Sequence, residues 1–276
     1  MILPFSANDP GASFHHLLRL YHPERLSPLP TPTDSVHAIP LSQRVPHATT
    51  VLALRYVDGV VIAGDRRATE GHNIAERNIQ KVHATDRWSA IAFAGAAGPC
   101  MEFAKLFQVE LEHYEKLEGL ALSMDGKANK LAHMIRGNLP MAMQGLVVVP
   151  ILAGYDPDRR TGRIFKYDIA GGQYEETEFC AVGSGGKDAK GTLRKAFKVD
   201  IAQEAAVATA VEALYDAADN DAGTGGPDLV RGIFPIVKTI TSAGVQDIDE
   251  ATIKGIVTQI IQKETRQQPS QSMPAV

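Results

Sequence analysis

Along the chain the spacing of apolar residues changes repeatedly, and each change marks an element. "TVLALRY" (50–56) and "VVIAGD" (60–65) are apolar, β-branched runs, and the Asp58-Gly59 pair between them predicts a tight hairpin. "WSAIAFAG" (88–95) reads as a further strand that runs into the small-residue loop "GAAG". In "CMEFAKLFQVELEHYEKL" (100–117), Met101, Phe103, Ala104, Phe107, Leu111 and Tyr114 fall at helical spacing. "GKANKLAHMIRGNLPMAMQ" (126–144) repeats that pattern, with Pro140 kinking or ending the helix.

"LVVVPILAGYD" (146–156) and "GRIFKYDIAGG" (162–172) predict a second hairpin around "PDRRTG", followed by a strand in "FCAVGSG" (179–185). Two helices are expected over 187–197 and 202–220, a strand in "IFPIVKTIT" (233–241) and a closing helix over 249–264, with Asp247 or Asp249 as its N-cap. Residues 264–276 read as a flexible tail. Hairpins adjacent in sequence imply antiparallel sheets, and two helix pairs need two apolar faces to cover. The expected class is therefore α+β, a four-layer αββα sandwich of two stacked antiparallel sheets.

The first 48 residues break from this pattern. They hold eight of the sixteen prolines, and each proline removes a backbone donor and restricts the residue before it. The segment is expected to be a linker, a docking arm or a removable propeptide. It lacks the basic leader and unbroken apolar run of a secretory signal. A net charge of −4 argues against nucleic acid or an anionic membrane surface as partner. No run reaches the roughly 18 apolar residues of a membrane span. Cys100 and Cys180 have no metal-ligand spacing and read as reduced core thiols.

Common catalytic motifs fail in detail. "GSGGKD" does not make a phosphate loop, because Asp188 follows Gly186-Lys187 and Ala181 stands where the leading glycine belongs. No GxSxG elbow is present, and His15-His16 has no partner at metal spacing. What remains is the junction "VPHATTVLALRY". A threonine hydroxyl needs a base, and the α-amine of an N-terminal threonine can serve, with a pKa of about 7.7 to 8.0. In an uncut chain that nitrogen is a peptide amide and is not basic.

"TTVLALRYVDGVVIAGDRRAT", Lys81 in "ERNIQKV", "AFAGAAG", "VGSGG" and "DNDAGTGGPDLVRG" together resemble the β-subunit of the 20S proteasome, over residues 49 to 263 and in order. "ELEHYEKLEG", "MIRGNL", "AMQG" and "ALYDAADND" are similar to its actinobacterial-type branch. The resemblance implies an N-terminal nucleophile hydrolase fold and a threonine endopeptidase. It further implies a propeptide over 1–48, a catalytic domain over 49–263 and autocleavage between Ala48 and Thr49.

By position, the resemblance makes Thr49 the nucleophile and Asp65 and Lys81 an acid–lysine pair. Gly95 would offer its N–H to the oxyanion, and Ser184, Asp221 and Thr224 would surround the terminal amine. Thr224 stands where the family usually has serine, and Ala48 where it commonly has glycine. The substrate pocket by the same offsets comprises Ala68, Thr69, Ile79, His83, Phe93 and Ala97, small and apolar enough to favour a hydrophobic residue before the cut. No metal or organic cofactor is implied. Expected partners are α-subunits and other β-subunits in an α7β7β7α7 assembly, an ATPase ring, and unfolded or tagged protein substrates, in the cytoplasm. Two alternatives stand beside this reading: a ring subunit of the same fold without the chemistry, and another amidohydrolase with an N-terminal nucleophile.

Overall fold

The computed structural model describes residues 49–70 and 73–267. The expected propeptide with Ala48, and the chain beyond Gln267, lie outside the described residues.

The strands pair entirely antiparallel. One five-stranded sheet has the order β10-β1-β2-β11-β12, built from β10 (Phe179–Gly183), β1 (Thr50–Tyr56), β2 (Gly59–Gly64), β11 (Ile236–Thr241) and β12 (Gly244–Asp247). The other has the order β5-β6-β7-β8-β9, from β5 (Val82–Asp86), β6 (Ser89–Gly95), β7 (Val148–Asp156), β8 (Thr161–Tyr167) and β9 (Gln173–Glu176). A small ribbon pairs β3 (Ala68–Glu70) with β4 (Asn73–Glu76). The helices are α1 (Ala97–Glu118), α2 (Met124–Gly137), α3 (Leu139–Ala142), α4 (Gly186–Ala196), α5 (Gln203–Asn220) and α6 (Glu250–Gln267).

Side-chain alternation sorts these elements into layers. Successive residues of a strand face opposite sides. On β1, Val51 and Ala53 join Ala90, Ala92, Ile151 and Ile164 between the sheets. Leu52 and Leu54 point the other way, into a core with Leu193, Val211, Leu214 and Val257 of α4, α5 and α6. On the far side, Ile91, Phe93, Leu152 and Phe165 pack on Phe107, Leu111, Leu131 and Ile135 of α1 and α2. The result is the αββα sandwich expected from the sequence. Both inner layers are covered on both faces, which is why "VVIAG" is apolar throughout instead of alternating.

Several boundaries differ from expectation. The second helix ends at Gly137, and a separate short helix carries Pro140 in its first turn, so the break falls at Asn138 rather than at the proline. The first helix starts at Ala97, inside the expected loop. The closing helix runs three residues past 264, to Gln267, so the tail does not begin at 264. Its cap is Asp249, whose Oδ1 accepts from Thr252 N at 2.9 Å, while Asp247 instead pairs with Lys238. Strands β3, β4, β5, β9 and β12 were not anticipated.

Candidate active site

The β1–β2 hairpin creates the first juxtaposition. Its register pairs Val51 with Gly64 and Tyr56 with Gly59, so the next residue on each strand, Thr50 and Asp65, meet. Asp65 N donates to Thr50 O at 3.1 Å, and Thr50 N donates back to Asp65 Oδ1 at 2.8 Å. Asp65 is fully buried. Its Oδ1 also accepts Lys81 Nζ at 2.6 Å, and its Oδ2 accepts Arg67 N and Gly225 N, each at 2.8 Å. Four donors fill the acceptor sites of one carboxylate, which fixes its orientation.

Lys81 is 5% exposed and also donates to Arg67 O. Burial pulls its ammonium below the usual lysine value, and Asp65 opposes that shift by charge and hydrogen bond. Lys81 reaches Asp65 because its own carbonyl is anchored by Phe93 N at 3.2 Å, at the start of β5.

A second cluster lies between the end of β10 and the end of α5. Ser184 N donates to Thr49 O at 3.0 Å. This close approach needs the glycine before it: Gly183 has φ +105°, and a Cβ there would lie 1.8 Å from Thr49 O. Asp221 caps the C-terminus of α5 and accepts at Oδ2 from Ser184 Oγ at 2.5 Å and Thr224 Oγ1 at 2.6 Å. Burial raises its carboxyl, but those two hydroxyls, the Gly223 amide and the charge of Lys81 outweigh burial, and the net shift is downward. Thr224 Oγ1 lies 2.6 Å from Thr50 Oγ1, which also accepts Gly185 N at 3.0 Å.

Thr49, Lys81 and Gly95 line one cavity. Gly95 ends β6 with φ +129°, and a Cβ there would sit 2.1 Å from Val147 O, so only glycine fits. Of the expected pocket residues, Ala68, Ile79, His83, Phe93 and Ala97 line this cavity. Thr69 does not. It follows Ala68 on β3, where consecutive side chains turn to opposite faces. Gln80, Cys100 and Met101 line it as well and were missed. Cys100 is a buried thiol, as its sequence context suggests, yet the first turn of α1 also brings it to the cavity wall. Burial pushes its thiol up to about 12 against the opposing charge of Lys81, so it stays protonated and is no competing nucleophile. Burial also lowers His83, keeping its ring neutral near pH 7.

Among the described residues, no group of three or more His, Cys, Asp or Glu side chains is placed to hold a metal ion. No helix among them is long and apolar enough to cross a membrane.

Comparison with known proteins bears on what this arrangement does. The proteasome subunit family model matches residues 45–230. The chain is 52% identical over 255 residues to a proteasome subunit beta of Acidimicrobium ferrooxidans, covering 92% of this chain and 91% of the relative. It is 55% identical over 217 residues to a proteasome subunit beta of Frankia alni, covering 79% of each. A proteasome subunit beta 1 of Rhodococcus erythropolis is 53% identical over 227 residues, 80% of this chain and 77% of the relative.

Proposed function

Because this chain belongs to the proteasome subunit family, as a β-subunit and threonine endopeptidase that assembles with α-subunits in a 20S core, we propose that Thr49 is its nucleophile once residues 1–48 are removed. The observation that carries this reading is the convergence of Thr49, Lys81 and Gly95 on one cavity, with Lys81 fixed by the buried Asp65 carboxylate. Thr49 Oγ attacks the scissile carbonyl while its own α-amine takes the hydroxyl proton. The Lys81 ammonium lowers the cost of negative charge on that oxygen, and Asp65 holds the ammonium in place. Gly95 N–H faces the oxyanion; losing such a donor typically costs about 2.7 to 4 kcal/mol. The amine then protonates the leaving nitrogen, and water releases the acyl group from Thr49. Ser184, Asp221 and Thr224 keep the amine oriented through these transfers.

In the precursor the same hydroxyl attacks the Ala48 carbonyl, and hydrolysis of the resulting ester frees the Thr49 amine. The methyl group of Ala48 narrows the conformations open to that rearrangement and slows it relative to glycine. The finer assembly we propose is α7β7β7α7 in the cytoplasm, served by an ATPase ring and fed unfolded or tagged chains. Intact mass of the assembled particle tests the central step. Wild type should lack residues 1–48, and Thr49→Ala should retain them. An active wild type that keeps its leader would sink the mechanism.

A further inference from the structure

The segment Arg66-Arg67-Ala68 contributes to two cavities. One is the cavity of Thr49 and Lys81; the other is lined by Arg66, Arg67 and Arg77. Its floor is Gly225, and Phe234 and Pro235 form an apolar side. Three arginines lining one space carry like charges that repel, least where solvent screens them as at the exposed Arg77. Among the described residues, none of the three pairs with a carboxylate. Arg66 donates to Asn78 Oδ1 and Arg67 to Ala222 O, both neutral acceptors. The one carboxylate on the wall, Asp228, is already engaged by the Arg231 side chain at 2.7 Å and by two backbone amides. Among the described residues, Arg66 Nε–H is buried with no acceptor. A buried donor left unmet costs about 1 to 3 kcal/mol, more when charged, so it marks a place where an acceptor belongs.

We infer that this cavity is an oxyanion site, taking a carboxylate or a tetrahedral anion such as phosphate on the Arg66 and Arg77 guanidiniums. Planar guanidinium forks match the paired oxygens of such groups. The site shares Arg67 and Gly225 with the surroundings of Lys81 and Asp65. Arg67 O receives Lys81, and Gly225 N holds Asp65 Oδ2. An occupant therefore braces the groups that orient Lys81 without reaching the substrate. That bracing rests on the role proposed for Lys81; the binding itself does not.

The anion has two sources, a free ion or a carboxylate from a neighbouring subunit, and one experiment separates them. Thermal unfolding of the assembled particle is followed against sodium sulfate, with sodium chloride at matched ionic strength as the reference. Wild type, Arg66→Gln and Arg77→Gln are compared, the last at an exposed position. A sulfate-specific rise in Tm for wild type, with apparent affinity at least tenfold weaker in both variants, supports a free-anion site. No sulfate response in wild type, with both variants assembling less completely by native mass, supports a neighbour's carboxylate. An equal sulfate response in all three proteins overturns the proposal. So does the absence of any response together with intact assembly of the variants. Because neither arginine is part of the proposed catalytic set, leader removal at Thr49 reports separately on that reading.

Discussion

Replacing Asp65 by asparagine changes one heavy atom and should remove most activity. Each carboxylate oxygen receives two donors: Thr50 N and Lys81 Nζ on Oδ1, Arg67 N and Gly225 N on Oδ2. The amide can be placed either way round, and in both its NH2 faces two donors instead of accepting them. If the NH2 takes the Oδ1 position, the buried Lys81 loses its charged acceptor and keeps neutral contacts such as Arg67 O; otherwise the Arg67 and Gly225 amides are pushed away. Breaking one side of a buried ion pair costs about 3 to 5 kcal/mol. Part of this falls on assembly. The part that falls on Lys81 appears in kcat, where each 1.36 kcal/mol is about tenfold, giving a loss of roughly 100- to 1000-fold. Burial already disfavours the Lys81 ammonium, so without Asp65 it loses its proton more readily. The assay is peptidase kcat at saturating substrate on particles shown by native mass to be complete, with leader removal scored in parallel. A complete, processed Asp65→Asn particle with near-wild-type kcat would refute the argument.

Other expectations follow from the same geometry. Gly95→Ala forces a Cβ against Val147 O and twists the β6 terminus away from the cavity; kcat should fall by about 100-fold or more, measured on assembled particles, and an unchanged kcat would remove Gly95 from the site. Asp221 is held below the usual carboxylate range, so its stabilising effect is present above its unfolded value near 3.8 and is lost as pH falls through its lower folded value. The Tm difference between wild type and Asp221→Asn should therefore stay constant from pH 7 to pH 5 and shrink only below about 4; shrinkage near pH 6 would contradict that shift. Peptides with an aromatic or large aliphatic residue before the cut should turn over faster than acidic or basic ones, given the Ala68, Ile79, Phe93 and Ala97 walls, and fastest cleavage of a basic peptide would exclude this pocket.

The layers were legible because their strands and helices carry strong periodicity. Leu52 and Leu54 alternate with Val51 and Ala53, and Asp58-Gly59 fixes the register that brings Asp65 to Thr50. The strands that were missed are short and offer no such signal. All four residues of β4 are exposed, and most of β9 and β12 is partly or fully so, so no apolar face announces them. Asp65 and Lys81 could not be paired from periodicity, since a turn and the β3–β4 ribbon intervene; their spacing carried meaning only through resemblance. Cys100 looked like a core thiol because it is one, and only the approach of α1 to the end of β6 makes it also a wall. The Arg66 cavity left no sequence trace, since its members come from two segments, 66–77 and 225–235, far apart in the chain.

The contact between Thr50 and Thr224 has one further consequence. Thr224 owns a single hydroxyl proton and spends it on Asp221 Oδ2. Its oxygen can therefore only accept from Thr50, and Thr50 in turn accepts Gly185 N–H. Two rotors that would ordinarily choose their own directions are locked into one sense, running from the start of α4 to the end of α5. Both are fully buried, so water cannot restore the row if it breaks. Ionised Asp221 is what gives the row its polarity; a proton landing there would free Thr224 to turn, and with it the hydroxyl adjoining residue 49. The second threonine of the pair thus carries news of the charge on Asp221 to the backbone of the first.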